Sequence, residues 1–182
     1  PARVALFVSK TDHCLYDLLL RHRSGELRCE IPLIISNHES LKSVAEHFAI
    51  PFHVFPVTAE TKADVEKEEI ALLESEQIDL VVMARYMQIL SGDFCDHFAS
   101  RVINIHHSFL PAFAGGRPYH QAFGRGVKLV GATAHYATRD LDEGPIIEQE
   151  VLRISHSDSA QDMVRKGKRC EVNALANGIR YH

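Results

Sequence analysis

The sequence predicts a three-layer α/β domain with a mostly parallel central sheet, and three observations lead there. Short apolar runs recur along the first half, at residues 3–8, 30–36, 52–55 and 79–84. Stretches with apolar residues at helical spacing lie between them, giving the order β-α-β-α-β-α-β. That order implies right-handed crossovers and a sheet covered on both faces. The length of 182 residues, 46% of them hydrophobic and 24% charged, suits one globular domain over 1–182. Such a chain can bury roughly 70% of the surface it exposes when unfolded, enough for one real core.

Taken in order, residues 3–8 read as a central parallel strand. A loop over 9–13 leads to a helix over 14–23, with Leu15, Leu18 and Leu19 on one face. Residues 30–36 form a second strand, with Pro32 near its start, where a missing donor is tolerated. Ser40 is placed to cap a helix through Phe48 that turns Val44 and Ala45 inward. A short strand over 52–55 ends at Pro56. Thr58 or Thr61 caps the next helix, which carries Ile70, Leu72 and Leu73 and runs through Glu76. The apolar strand over 79–84 and a short helix over 93–99 come next, before an apolar run from Val102 to Ile105.

The second half continues with a helix over 118–125, with Pro118 in its first turn. A longer strand over 127–136 contains Gly131, and 146–154 is a strand or hairpin partner. The pattern over 158–181 is helical, with Ser157 or Asp158 as cap and Met163, Val164, Cys170 and Leu175 able to dock. No internal repeat, low-complexity tract or linker interrupts the chain.

Composition narrows the function. A net charge of −4 and a pI near 6.3 give no basic face for nucleic acid or an acidic membrane. No apolar run approaches the roughly 20 residues that cross a bilayer. Residues 3–8 are too short for a signal peptide and lead directly into structure, so none is expected. The four cysteines, Cys14, Cys29, Cys95 and Cys170, form no Cys-x-x-Cys pair, which predicts a reducing, cytoplasmic setting.

The run Val102 to Ile105 carries one amide, Asn104, in otherwise β-branched sequence. Alternation puts Asn104 and His106 on the same side of an extended chain. A cluster of breakers follows, Pro111, Gly115, Gly116 and Pro118. Polar groups at the end of a parallel strand are where open α/β sheets place their chemistry. Burying an amide without partners costs roughly 1–3 kcal/mol. Asn104 is therefore either a hydrogen-bonded core residue or an NH2 group aimed at a developing oxyanion. His106 is either a surface or capping histidine or a proton donor and acceptor at working pH. Asp142 alone reads as a turn aspartate beside Gly144 and Pro145. The stretch 85–90 reads as a helix start with Met87 and Leu90 in the core, or as a wall of a site at a strand end.

His106, His107, His120 and His135 invite a metal reading, but their spacing is irregular and no cysteine or second carboxylate joins at ligand intervals. Metal-free chemistry is expected. Cys14 beside His13 is read as a buried structural cysteine rather than a nucleophile.

The run Asn104-Ile105-His106-His107-Ser108-Phe109-Leu110-Pro111, with Leu141-Asp142-Glu143-Gly144-Pro145 downstream, resembles the signature of the folate-dependent formyltransferases. The resemblance extends from Val4 to Lys166. Most members have proline where this chain has His107. That variant, followed by Arg117-Pro118-Tyr119-His120-Gln121-Ala122, is similar to the family's hydrolytic, deformylase branch. The resemblance implies a Rossmann-like formyltransferase fold and a catalytic trio of Asn104, His106 and Asp142. These act on a formyl group carried on N10 of tetrahydrofolate. It also implies that Arg85, Met87, Gln88, Ile89 and Leu90 wall the folate pocket. His107, Ser108, His120, Thr138, Arg139 and Asp140 complete the expected substrate contacts, with 140–142 in the loop that lines the pterin.

The activity implied is hydrolysis of 10-formyltetrahydrofolate to tetrahydrofolate and formate, supplying one-carbon and purine metabolism. No metal or other cofactor is implied, and the partners are the folate substrate and water, with homo-oligomerisation left open. Two rivals stand beside it. A transferase with an amine acceptor that is a ribonucleotide should carry a glycine-bearing phosphate loop after the first strand, and residues 9–14 contain no glycine. A transfer-RNA-directed member should carry a basic extension, and this chain is slightly acidic. A folate-binding sensor without turnover is the non-enzymatic alternative. The amino-acid-binding regulatory domain that the family's deformylases usually carry at the N-terminus is expected to be absent, and the chain is expected to fall short of, or diverge from, the family pattern after Lys168.

Overall fold

The computed structural model describes residues 1–110 and 118–182; Pro111, Gly115, Gly116 and Arg117 of the sequence motif lie outside the described residues. At its centre is β1 (Arg3–Val8), buried from Val4 onward. It lies between two parallel neighbours, β2 (Glu30–Ser36) and β4 (Leu80–Met83). The strand β3 (Phe52–Val54) extends the sheet beyond β2, and β5 (Val102–His106) extends it beyond β4, both in parallel. Two antiparallel strands, β6 (Leu129–Tyr136) and β7 (Ile146–Arg153), complete a seven-stranded sheet of order β3-β2-β1-β4-β5-β6-β7. The mostly parallel central sheet expected from sequence is present.

Strand alternation explains the three layers. Along β1, Val4, Leu6 and Val8 face one side of the sheet, and Ala5 and Phe7 face the other. The first side packs on α1 (His13–Arg23), α2 (Lys42–His47) and the long α6 (Ala160–Tyr181), through Leu15, Leu18, Val44, Ala174 and Leu175. The second packs on α3 (Lys62–Ser75) and α4 (Gly92–His97), through Leu73, Phe94 and Phe98. Burying one large side chain such as Phe7 or Leu15 stabilises the fold by roughly 1.5–3 kcal/mol. A smaller cluster, Tyr119, Ala122, Val130, Ile154 and Met163, seats α5 (Pro118–Arg125) against β6 and α6.

The caps differ from expectation. The residue before α2 is Leu41, with no side-chain cap, so Ser40 does not cap it. Thr61 precedes α3, but its hydroxyl pairs with Thr58, 3.0 Å away, rather than with the helix. Ser159, not Ser157 or Asp158, caps α6. It forms a capping box with Asp162, which satisfies two otherwise orphaned amides. Asp158 instead accepts from the Ser155 amide at 2.8 Å and pairs with Lys166 at 2.7 Å.

This topology fixes where chemistry can occur. Connections from β1 lead outward on one side to β2 and on the other to β4, so the order reverses between β1 and β4. Crevices outside the carboxyl ends of strands at such a reversal are the usual binding sites of open α/β sheets. Here that end of the sheet carries Ser9, Arg85 and His106.

Candidate active site

A cavity of about 270 Å³ opens at this end. Three stretches line it: the end of β5 with Asn104 and His106, the loop after β4 from Arg85 to Leu90, and the loop after β6 from Thr138 to Asp142. His135 on β6 joins them because antiparallel pairing sets it opposite Asn104. Of the residues singled out in sequence, the cavity gathers Asn104, His106, Asp142, Arg85, Met87, Gln88, Ile89, Leu90, His107, Thr138 and Arg139. Ser108, His120 and Asp140 do not line it. Ser108 is buried, and its carbonyl accepts from the Thr133 hydroxyl at 2.8 Å. His120 and Asp140 are exposed.

The loop after β4 is held from beneath. Ser9 is buried, donates to Asn37 Oδ1 at 2.6 Å and accepts from the Met87 amide at 2.9 Å. Arg85, which opens the loop, has φ of 66°, a left-handed conformation that non-glycine residues rarely adopt. Leu90 and Tyr86 are buried, whereas Met87 and Ile89 present more than half their surface to solvent at the cavity mouth, at 56% and 58%. Met87 is therefore not a core residue. Its flexible thioether and Ile89 leave an apolar wall able to receive a flat ring.

The loop after β6 is shaped for one carboxylate. Asp142 also has positive φ, 58°, which turns its side chain back toward β5. Gly144 permits the turn, because a Cβ there would collide with the backbone carbonyl of Tyr136. Asp142 Oδ1 lies 3.7 Å from His106 Nδ1 and 3.9 Å from His135 Nε2, and all three side chains are nearly solvent-free. Contacts of this length in an unliganded site commonly tighten once substrate is bound.

The tautomer of His135 follows from its partners. Its Nδ1 lies 3.1 Å from the Tyr136 carbonyl, which can only accept, so Nδ1 carries the proton. Nε2 then accepts from the Asn104 amide nitrogen at 3.2 Å. Burial lowers the His135 pKa and keeps the ring neutral, which preserves that acceptor. One N–H of Asn104 is thus used to orient the amide, and the second is left to point at a ligand. His107 stacks on His106, with ring centroids 5.4 Å apart. Burial, aided by the Arg85 charge, lowers His107 to about 4, so it is neutral beside His106 at physiological pH.

A second polar cluster lies behind the cavity and was not legible in sequence. Glu171 on α6 is wholly buried. Its carboxylate accepts from Arg85 Nη1 at 2.7 Å, from His13 Nε2 at 2.9 Å and from the Tyr119 hydroxyl at 3.0 Å. Burial works to raise its pKa, but the bonds and charges of His13 and Arg85 outweigh it and hold the carboxyl below its ordinary value. His13, Cys14 and Glu171 are also the one group of three metal-ligand side chains brought together among the described residues. Arg85 already supplies a cation to Glu171, and burial pushes the Cys14 thiol well above its ordinary pKa, so a cation there would have to displace existing pairing. His106, His107, His120 and His135 are not part of that group.

Arranged this way, the cavity can polarise a carbonyl through an amide N–H and an imidazole, and can take a proton on a carboxylate beside them. A model of the family described as formyl transferase matches residues 2–179. A formyltetrahydrofolate deformylase of Synechocystis is 62% identical over 99% of this chain and 63% of its own length. One of Bacillus subtilis is 49% identical over 99% of this chain and 60% of its own length. Among solved structures, a formyltetrahydrofolate deformylase from Pseudomonas syringae superposes with a TM-score of 0.95 at 52% identity, covering 98% of this chain and 60% of that one. A phosphoribosylglycinamide formyltransferase from Bacillus halodurans superposes with a TM-score of 0.89 at 32% identity, covering 97% and 93%. The chain therefore spans about three fifths of the length of the deformylases it matches and nearly all of that transferase. With the family's model matching residues 2–179 and solved structures superposing over nearly the whole chain, this chain belongs to the formyl transferase family.

Proposed function

We propose that this chain hydrolyses 10-formyltetrahydrofolate to tetrahydrofolate and formate. The observation that carries the reading is the convergence of Asn104, His106 and Asp142 on one solvent-shielded floor, beneath an apolar mouth. The high identity to proteins named formyltetrahydrofolate deformylase supports it over the transferase reading, for which identity is lower. The pterin lies against the wall from Arg85 to Leu90 and the loop from Thr138 to Asp142, with the formyl group over β5.

Water attacks the formyl carbon, and the carbonyl π electrons move onto oxygen. The free N–H of Asn104 and the protonated His106 hold that oxyanion. Asp142 takes the proton released by water. Collapse breaks the bond from carbon to N10, the proton passes to N10, and tetrahydrofolate and formate separate. No step requires a metal or a redox cofactor, because an amide-like carbon needs only polarisation and proton transfer. Folate and water are the partners proposed. The four cysteines are free thiols, which suits a reducing, cytoplasmic setting, and no helix among the described residues is long and apolar enough to cross a membrane.

The test is formate release with no amine present. Purified chain should turn over 10-formyltetrahydrofolate, with the oxygen of labelled water appearing in formate and no acceleration by glycinamide ribonucleotide. Turnover that waits for an amine, with the label left out, would make the chain a transferase. Tight folate binding without formate would make it a sensor.

A further inference from the structure

Glu171 is not among the residues that line the cavity, yet two of the three groups it holds lead back to the site: Arg85 lines it, and Tyr119 packs on His107. We infer that Glu171 is a positioning residue for the stacked histidines at the cavity floor, acting through the Tyr119 hydroxyl. The inference rests on the hydrolytic reading above, because it assigns the stack a task in that reaction.

The connection is short. The Tyr119 hydroxyl reaches Glu171 at 3.0 Å. The Tyr119 ring lies 5.9 Å from the His107 ring, and His107 stacks 5.4 Å from His106. Tyr119 is buried and sits in the cluster that joins α5 to β6 and α6, so its ring has packed neighbours on several sides. Helix α6 is built to receive it at two positions one turn apart. Glu171 offers the acceptor, and Gly167, on the same face, offers the space, since a Cβ there would collide with the Tyr119 hydroxyl. A buried carboxylate would ordinarily be a liability in the middle of a helix. Arg85 compensates its charge and His13 bonds the same oxygen, which leaves the second oxygen to fix the phenol. The consequence is that His107, which has replaced the rigid proline noted in the sequence motif, gains its fixed orientation from α6. An imidazole stack held from one side presents His106 to the cavity in one orientation, and that orientation is needed only when the oxyanion forms.

A double-mutant cycle with Tyr119→Phe and Glu171→Gln tests this, with Gly167→Ala as a third variant that expels the hydroxyl without touching charge. Each should lower kcat about tenfold with KM for the folate within about threefold, while thermal midpoints do not track the losses. The double variant should lose no more than about twofold beyond Glu171→Gln alone, because both changes cut one connection. Losses that multiply to about a hundredfold, or Tyr119→Phe and Gly167→Ala within twofold of the parent kcat, would overturn the inference. Should Glu171→Gln fail to fold, those last two variants decide it. Ring resonances of His106 and His107 in the same proteins separate this inference from the reading it rests on. If the parent chain releases no formate, the hydrolytic reading fails, and unchanged His107 resonances in Tyr119→Phe would sink the positioning role on their own.

Discussion

His106 and Asp142 are each nearly shut off from solvent and face one another at 3.7 Å, so replacing either should separate chemistry from binding. His106→Ala should abolish turnover while folate binding stays within about tenfold, roughly 1.4 kcal/mol, since the pterin is held by other loops. Asp142→Asn keeps hydrogen-bonding capacity but can neither take the proton of water nor favour an imidazolium. It should remove most activity with little change in thermal midpoint. Equilibrium binding of a non-hydrolysable folate, set beside rates for both variants, checks this; binding lost in step with turnover would make His106 structural, and near-parental rates in the asparagine variant would return Asp142 to the role of a turn residue. These side chains were legible because they sit in contiguous motifs. His135 was raised only as a metal ligand, because its bond to Asn104 depends on a register between β5 and β6 that no local pattern contains. Glu171 was invisible for the same reason: its partners come from α1, the loop after β4, and α5.

At the scale of elements, the strands of the first half were readable because a strand buried on both faces must be apolar along its whole length. The helix starts were not. Ser155, Ser157, Asp158 and Ser159 all suit a cap, and the choice fell to Ser159 because Asp162, three residues on, can return the bond. The turn that carries Asp142 is the element on which the site most depends. Gly144 faces the Tyr136 carbonyl, and that strand end also orients His135 through the same carbonyl. Gly144→Ala must therefore shift both the Asp142 turn and the end of β6. It should cost about 1–3 kcal/mol of stability, the usual range for forcing extra atoms into a packed site. Turnover should fall far more than that loss alone implies at temperatures where the variant is still folded. Circular dichroism melts beside kcat measure both; a variant with parental kcat would show that the turn tolerates displacement.

At the scale of the whole molecule, the folded chain buries titratable groups of opposite behaviour, a carboxyl on α3 and histidines at the ends of β5 and β6. Glu69 on α3 is buried beneath the loop that walls the cavity, beside Glu66, and accepts from the Tyr86 hydroxyl at 3.4 Å. Burial first, and the Glu66 charge second, raise its pKa from 4.5 to about 7. Near the cavity floor, burial lowers His107 from 6.5 to about 4 and lowers His135 as well. The signs oppose one another. As pH rises from 4.5 to 7 the unfolded chain gives up the Glu69 proton before the folded chain does, so this residue costs stability progressively across that window. As pH falls below 6.5 the unfolded chain protonates its histidines while folded His107 and His135 remain neutral, which costs stability in the other direction. Between about pH 4.5 and 6.5 the two histidines outweigh the single carboxyl, so the parent melting temperature should fall on acidification, less steeply than the histidines alone would make it. Glu69→Gln removes one trend and keeps the shape of the side chain. Its melting temperature relative to the parent should be distinctly higher at pH 8 than at pH 5, and its own profile should fall more steeply on acidification. Melts at matched ionic strength across pH 4.5 to 8 give the comparison. A difference between variant and parent that stays constant over that range would mean that Glu69 titrates in the folded chain as it does in water.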